Sequence, residues 1–123
     1  MKLYIAVLDA VPDFIVPTLV AHSVLGAHIE FCRSFIATED KGGDGHKPFK
    51  NYADWLGDSF KKCVVRVNEK EFAKISEIPG TYLGHENKTL GGIKSCAIPT
   101  PVPNDQLPNV LKFAKLWSPK YFD

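Results

Sequence analysis

Two histidines stand in a run of small and aliphatic residues: His22 and His28, within VPTLVAHSVLGAH at positions 16–28. An imidazole changes charge near neutral pH, so it can take up or give a proton in a reaction. Six residues turn a helix by about 600°, which leaves the two rings about 120° apart, unable to share one metal ion from one helix. His22 follows Thr18 and Leu19 by one turn, toward the front of the segment. Two readings of it stand side by side. One is an interior histidine bonded to a backbone carbonyl; the other is a proton-transfer group at a site. His28 reads as a partly exposed surface residue.

The richest polar cluster is LGHENKTLGG, residues 83–92. His85, Glu86, Asn87, Lys88 and Thr89 fall between two apolar stretches, and Gly91-Gly92 permits an unusual backbone path. Loops at strand ends are where sites collect on α/β sheets. Glu86 can serve there as a general base tuned by His85 or His22. The plainer alternative is a polar turn with Asn87 at its bend. Asp9 closes the first apolar run, where an acid can cap a helix start or hold a substrate amine.

Other chemistry is thin. Ser23, Ser34, Ser59 and Ser95 lack the Gly-x-Ser-x-Gly frame of a nucleophile elbow. KGGDG, residues 41–45, has its lysine ahead of the glycines and no strand leading into it, so it matches no phosphate loop. Lys41, His46, Lys47 and Lys50, with Lys61 and Lys62, form a small positive group able to meet a phosphate backbone; a solvated loop is the alternative. Tyr52 and Trp55 read as anchors of a short helix rather than as base-stacking platforms. Cys32, Cys63 and Cys96 match neither a zinc spacing nor a disulfide framework and read as reduced, buried thiols. No cofactor or metal site is expected.

These residues need a scaffold. KLYIAVLD (2–9) reads as a central strand, because both of its faces are apolar. Pro17 suits a first helical turn, and the helix is expected to run to about Phe35. Ala21, Ser23, Gly26 and Ala27 would let it lie close to a sheet. Residues 37–50 read as a mobile loop, and NYADWLG as a helical turn capped by Asn51. KKCVVRV (61–67) is a second strand. Asn68 and Glu71 form a capping box for NEKEFAKISEI, with Phe72, Ile75 and Ile78 on its inner face and Pro79-Gly80 at its end. TYLGHEN begins a third strand, Ile93–Pro99 forms a fourth, Leu107–Val110 a short helix or turn, and KFAKLW a final edge strand. Alternating strands and helices imply one sheet covered on both faces.

The totals agree with a single α/β domain over residues 1–123. Apolar residues make up 45% and charged residues 24%, and 15 basic against 14 acidic side chains leave a net charge of +1. A general attraction to nucleic acid is therefore not indicated; a local patch would have to supply it. Asp9 and Pro12 interrupt the first apolar run, so it does not read as a signal peptide, and no run of about 20 apolar residues stands out as a membrane span. A cytoplasmic location and no membrane partner are the expectations.

In order along the chain, a strand leading into AHSVLGAH, then YADWLGDSFKKCVVRV, NEKEFAKI and LGHENKTLGGIKSCAIPTP, resembles the type-2 peptidyl-tRNA hydrolase family. The resemblance covers most of the chain; each motif alone is weak. It implies a mixed four-stranded sheet with helices on both faces. It also implies hydrolysis of the ester joining a peptide to the 3′ end of its tRNA. His22 matches the histidine of the first helix, and Glu86, followed by Thr89, matches the acidic loop. The family's Gly-Lys pair and glutamine ahead of that histidine are replaced here by Phe14-Ile15 and Leu19. The catalytic set implied is His22, Glu86 and Thr89. Substrate contacts fall to Asp9, Lys47, Lys62, His85, Asn87 and Lys88, with Lys88 or Lys94 supplying the missing positive charge. Two other functions compete: a non-catalytic relative that binds RNA, a nucleotide or a protein through the same cleft, and a small assembly protein, dimeric through LKFAKLW.

Overall fold

The computed structural model describes residues 1–41, 47–86 and 91–120. Its centre is β1 (Lys2–Leu8). Alternation along this strand sends Leu3, Ile5 and Val7 into one apolar layer and Tyr4 and Ala6 into another, which explains why both faces are apolar. β1 pairs in parallel with β2 (Lys61–Val67), from Lys2 opposite Lys61 to Leu8 opposite Val67. On its other side it pairs antiparallel with β4 (Lys94–Ile98), which pairs antiparallel with β3 (Tyr82–His85). A two-residue strand, β5 (Lys115–Leu116), runs antiparallel to β2, giving the order β3-β4-β1-β2-β5.

The sheet is thus mixed, but five-stranded rather than the four-stranded sheet expected. The addition is the edge strand read in KFAKLW, extended by a hydrogen bond from Trp117 N to Val64 O of 2.9 Å.

Helices cover both faces, as the alternation of elements requires. One layer holds α1 (Val16–Lys41) and α2 (Lys47–Gly57); the other holds α3 (Glu69–Ser76) and the single turn α4 (Asn109–Lys112). α1 buries Val16, Leu19, Ser23, Ala27 and Phe31, a stripe at intervals of three and four residues. It continues six residues past Phe35, because no glycine or proline intervenes before Gly42. α2 begins earlier than expected: Pro48 suits a first turn, so Asn51 lies inside the helix rather than capping it. Of the expected 37–50 loop, residues 42–46 lie outside the described residues. The capping box of α3 forms as read, Glu71 N donating to Asn68 Oδ1 at 2.8 Å and Asn68 N to Glu71 Oε1 at 2.9 Å.

The 22 residues Asp13–Ser34, which hold an 18-residue window with a mean hydropathy of 1.4, are long and apolar enough to cross a membrane, contrary to the sequence reading. In the fold, one stripe of this stretch is core, packed on the sheet.

Candidate functional site

α1 lies chiefly over β3 and β4 rather than over the middle of the sheet. Two glycines set how close it comes. A Cβ on Gly84 would collide with the Ser23 side chain, and a Cβ on Gly26 would collide with the Tyr82 hydroxyl. The small residues of α1 therefore meet a strand that is itself notched at Gly84. Beside this contact the β3–β4 ladder shifts register, Gly84 standing opposite Cys96 but His85 opposite Lys94. Such a bulge re-aims the side chains next to it.

The outcome is a corner where His22 of α1 meets His85 of β3, ring centroids 6.3 Å apart and edge to face. His22 is exposed and His85 half-buried, which overturns the reading of His22 as an interior histidine. The helix overhangs the β3 side of the sheet, so the face of α1 bearing His22 is not sealed, and Leu25 on the next turn is itself 64% exposed. Lys94 Nζ lies 3.3 Å from His85 Nδ1. An ammonium only donates, so His85 Nδ1 is the acceptor, and the neutral ring carries its proton on Nε2. Glu86 follows directly, half-buried, its carbonyl accepting from Gly92 N at 3.4 Å as the chain returns toward β4. Asn87, Lys88 and Thr89 lie outside the described residues.

The structure thus brings together His22, His85, the Glu86 backbone and Lys94, at the rim where β1 ends. It does not bring the other expected contacts there. Asp9 lies at the same rim but on the β2–β5 side, tied to Arg66 Nη1 at 3.4 Å and Lys120 Nζ at 3.8 Å. It caps no helix: its neighbour Asp13 accepts from Arg66 Nη2 at 3.2 Å and from Lys120 N at 2.7 Å. The Lys120 amide, ahead of the Arg66 guanidinium, holds the Asp13 carboxyl below its ordinary pKa despite partial desolvation. Lys62 sits at the start of β2, the opposite rim, with its ammonium 3.6 Å from the Phe60 ring centroid. Lys47 opens α2, and its side chain lies outside the described residues.

His28 is half-buried, in keeping with the partial exposure expected of it. Its Nδ1 is 2.8 Å from the Tyr52 hydroxyl, and Cys32 Sγ lies 3.8 Å from the ring nitrogens. Burial, with the Cys32 thiol beside it, pushes the Tyr52 hydroxyl up to about 12. Of the three thiols only Cys96 is fully buried, Cys32 and Cys63 being half-buried. Sequence reasoning missed Arg66 as the partner of Asp9 and Asp13, and Tyr52 as the partner of His28. Gly84 within a strand pattern was the available signal for the close approach of α1.

No protein-family model matches this chain, and no curated protein matches it significantly.

Proposed function

We propose that this chain is an ester hydrolase of the peptidyl-tRNA hydrolase type, acting at the His22–His85 corner. The observation that carries the reading is the 6.3 Å approach of an exposed imidazole on α1 to a second imidazole next to Glu86, with the Lys94 ammonium 3.3 Å from the second ring. Hydrolysis of an acyl ester needs a base for water, a positive or donating group for the developing oxyanion, and a proton for the leaving oxygen. His22 takes a proton from water. The hydroxide so formed adds to the acyl carbon, and the carbon–oxygen bond to the ribose breaks. The proton then passes from His22 to the leaving ribose oxygen, which becomes the free hydroxyl of the tRNA. Lys94, with Lys88, offers charge to the oxyanion or to a tRNA phosphate. Glu86 and Thr89 orient the water.

The reading is tested by turnover of a short N-acetyl-peptidyl-tRNA. Wild-type protein releases free tRNA. His22→Asn keeps a side chain of similar polarity and lowers kcat by about 100-fold or more, the range for a lost general base. Glu86→Gln, which misplaces the water, lowers it by about 100-fold. Turnover by His22→Asn equal to wild type removes His22 from the reaction.

A second reading, binding without turnover, is favoured by Phe14, Ile15 and Leu19 standing where the family has its Gly-Lys pair and glutamine. Retention of tRNA on the protein, with the ester intact after prolonged incubation, decides for it. No retention and no turnover reject both.

A further inference from the structure

We propose a second binding site, in the groove between α1, α2 and the start of β2, that takes an apolar molecule with a single carboxylate at one end. The groove encloses about 740 Å³, within the range of small-molecule sites. α1 does not cover β2, so Val20, Val24 and Leu25 of the helix and Val64 of the strand form apolar walls, closed by Trp55 and Leu56 of α2. His28 and Tyr52 also line it, and each already satisfies the other through the 2.8 Å hydrogen bond. That pairing joins the two polar side chains contributed by the helices, and the mostly apolar interior suits a hydrocarbon or aromatic body.

One cation marks the mouth. Among the described lining residues Lys62 is the only lysine or arginine. Its Nζ donates to the Phe60 carbonyl at 2.8 Å and lies over the Phe60 ring at 3.6 Å and the Trp55 ring at 5.8 Å. Among the described residues no carboxylate pairs with it. A carbonyl and two π faces fix the ammonium in place but leave its charge unneutralised, which is what an incoming anion requires. Phe60 itself carries a left-handed backbone, φ 54°, rare for an aromatic residue, and its ring is half exposed at the groove's edge. That backbone is held by Phe60 N donating to Trp55 O at 2.8 Å. Strain of this kind persists where the surroundings over-determine it, and it concentrates at ligand clamps. Volume, apolar walls, one unpaired cation and a strained aromatic at the entrance together specify an amphiphile with one negative end. The Lys62 mouth lies on the rim of the sheet opposite the imidazole corner, and the inference does not depend on the hydrolase reading.

The test uses dodecanoate and dodecanol, kept below their aggregation concentrations, with the full chain. Binding is read by calorimetry and by tryptophan fluorescence in a Trp117→Phe background, which leaves Trp55 as the one indole. Dodecanoate binds one-to-one, and dodecanol binds at least tenfold more weakly. Lys62→Met keeps most of the stem, removes the charge, and brings dodecanoate down to the dodecanol level. Ala21→Phe, at an exposed lining position, fills the groove and abolishes both, and its circular dichroism and melting temperature show that it is folded. Vesicles of phosphatidylcholine with and without phosphatidylserine form a further arm. The proposal is overturned by absence of dodecanoate binding to wild type, by equal affinity in Lys62→Met, or by binding to anionic vesicles with none to monomeric dodecanoate.

Discussion

Lys94 decides which nitrogen of His85 holds the proton. An ammonium has no lone pair to offer, so the 3.3 Å contact makes Nδ1 an acceptor and leaves Nε2–H as the neutral form. Long-range ¹⁵N–¹H spectra should show a single Nε2–H tautomer for neutral His85 in the wild type. Lys94→Met should give a mixture of tautomers, with the His22 resonances perturbed through the edge-to-face contact. A mixed tautomer in the wild type would show that the lysine does not set the ring. At this scale the sequence was a partial guide. The nearness of His22 to the segment beginning at His85 was legible, because polar residues between apolar stretches must face something other than core. That His22 is exposed was not legible. A histidine in a run of aliphatic residues looks interior until the placement of its helix over β3 and β4, rather than over the centre of the sheet, is known. The pairing of Arg66 with Asp9 and Asp13 joins residues more than fifty positions apart, and no local pattern encodes it.

At the scale of elements, the contact between α1 and β3 controls the corner. Gly84→Ala would drive a methyl group into Ser23, and neither the strand nor the core helix has room to yield. A loss of about 1–3 kcal/mol in urea unfolding is expected, the usual cost of overpacking. The nuclear Overhauser contact between the His22 and His85 rings should weaken with it. Unchanged stability and an unchanged ring contact would show that the approach is looser than the geometry indicates. The elements themselves were largely readable: β1, β2 and the capping box of α3 appear where their patterns place them, because each combines a clear period with a clear stop signal. The start of α2 was misread because the glycine- and charge-rich run before it masked Pro48 as a helix start. The short β5 was legible only as a β-prone stretch, its pairing depending on the distant β2.

At the scale of the molecule, the chain is clasped across nearly its whole length. Lys120 N reaches Asp13 at 2.7 Å, Lys120 Nζ reaches the Asp9 carbonyl at 3.0 Å, and Arg66 Nη2 donates to the Ser118 carbonyl at 2.6 Å. The Asp13 carboxyl is held below its ordinary value of 3.8 by the Lys120 amide first and by Arg66. A depressed pKa in the folded state contributes stability above 3.8, and that contribution is lost as the pH falls through the lower folded value. Asp13→Asn should therefore be less stable than wild type at pH 7, with the gap narrowing as the pH falls below 3.8. Chemical denaturation at both ends of this range checks it; a gap that stays constant would mean that the charge of Asp13 is immaterial. Because β1 and β2 run side by side in the same direction, the Met1 carbonyl, which accepts from Ser59, stands at the rim of the Lys62 groove, and Lys120 stands at the other. A fusion partner or a surface attachment joined at residue 1 would shade the groove and leave the histidines open to solvent. One joined beyond residue 120 would crowd the acid-and-arginine clasp instead, so the choice of anchoring point decides which rim of the sheet an immobilised sample leaves open.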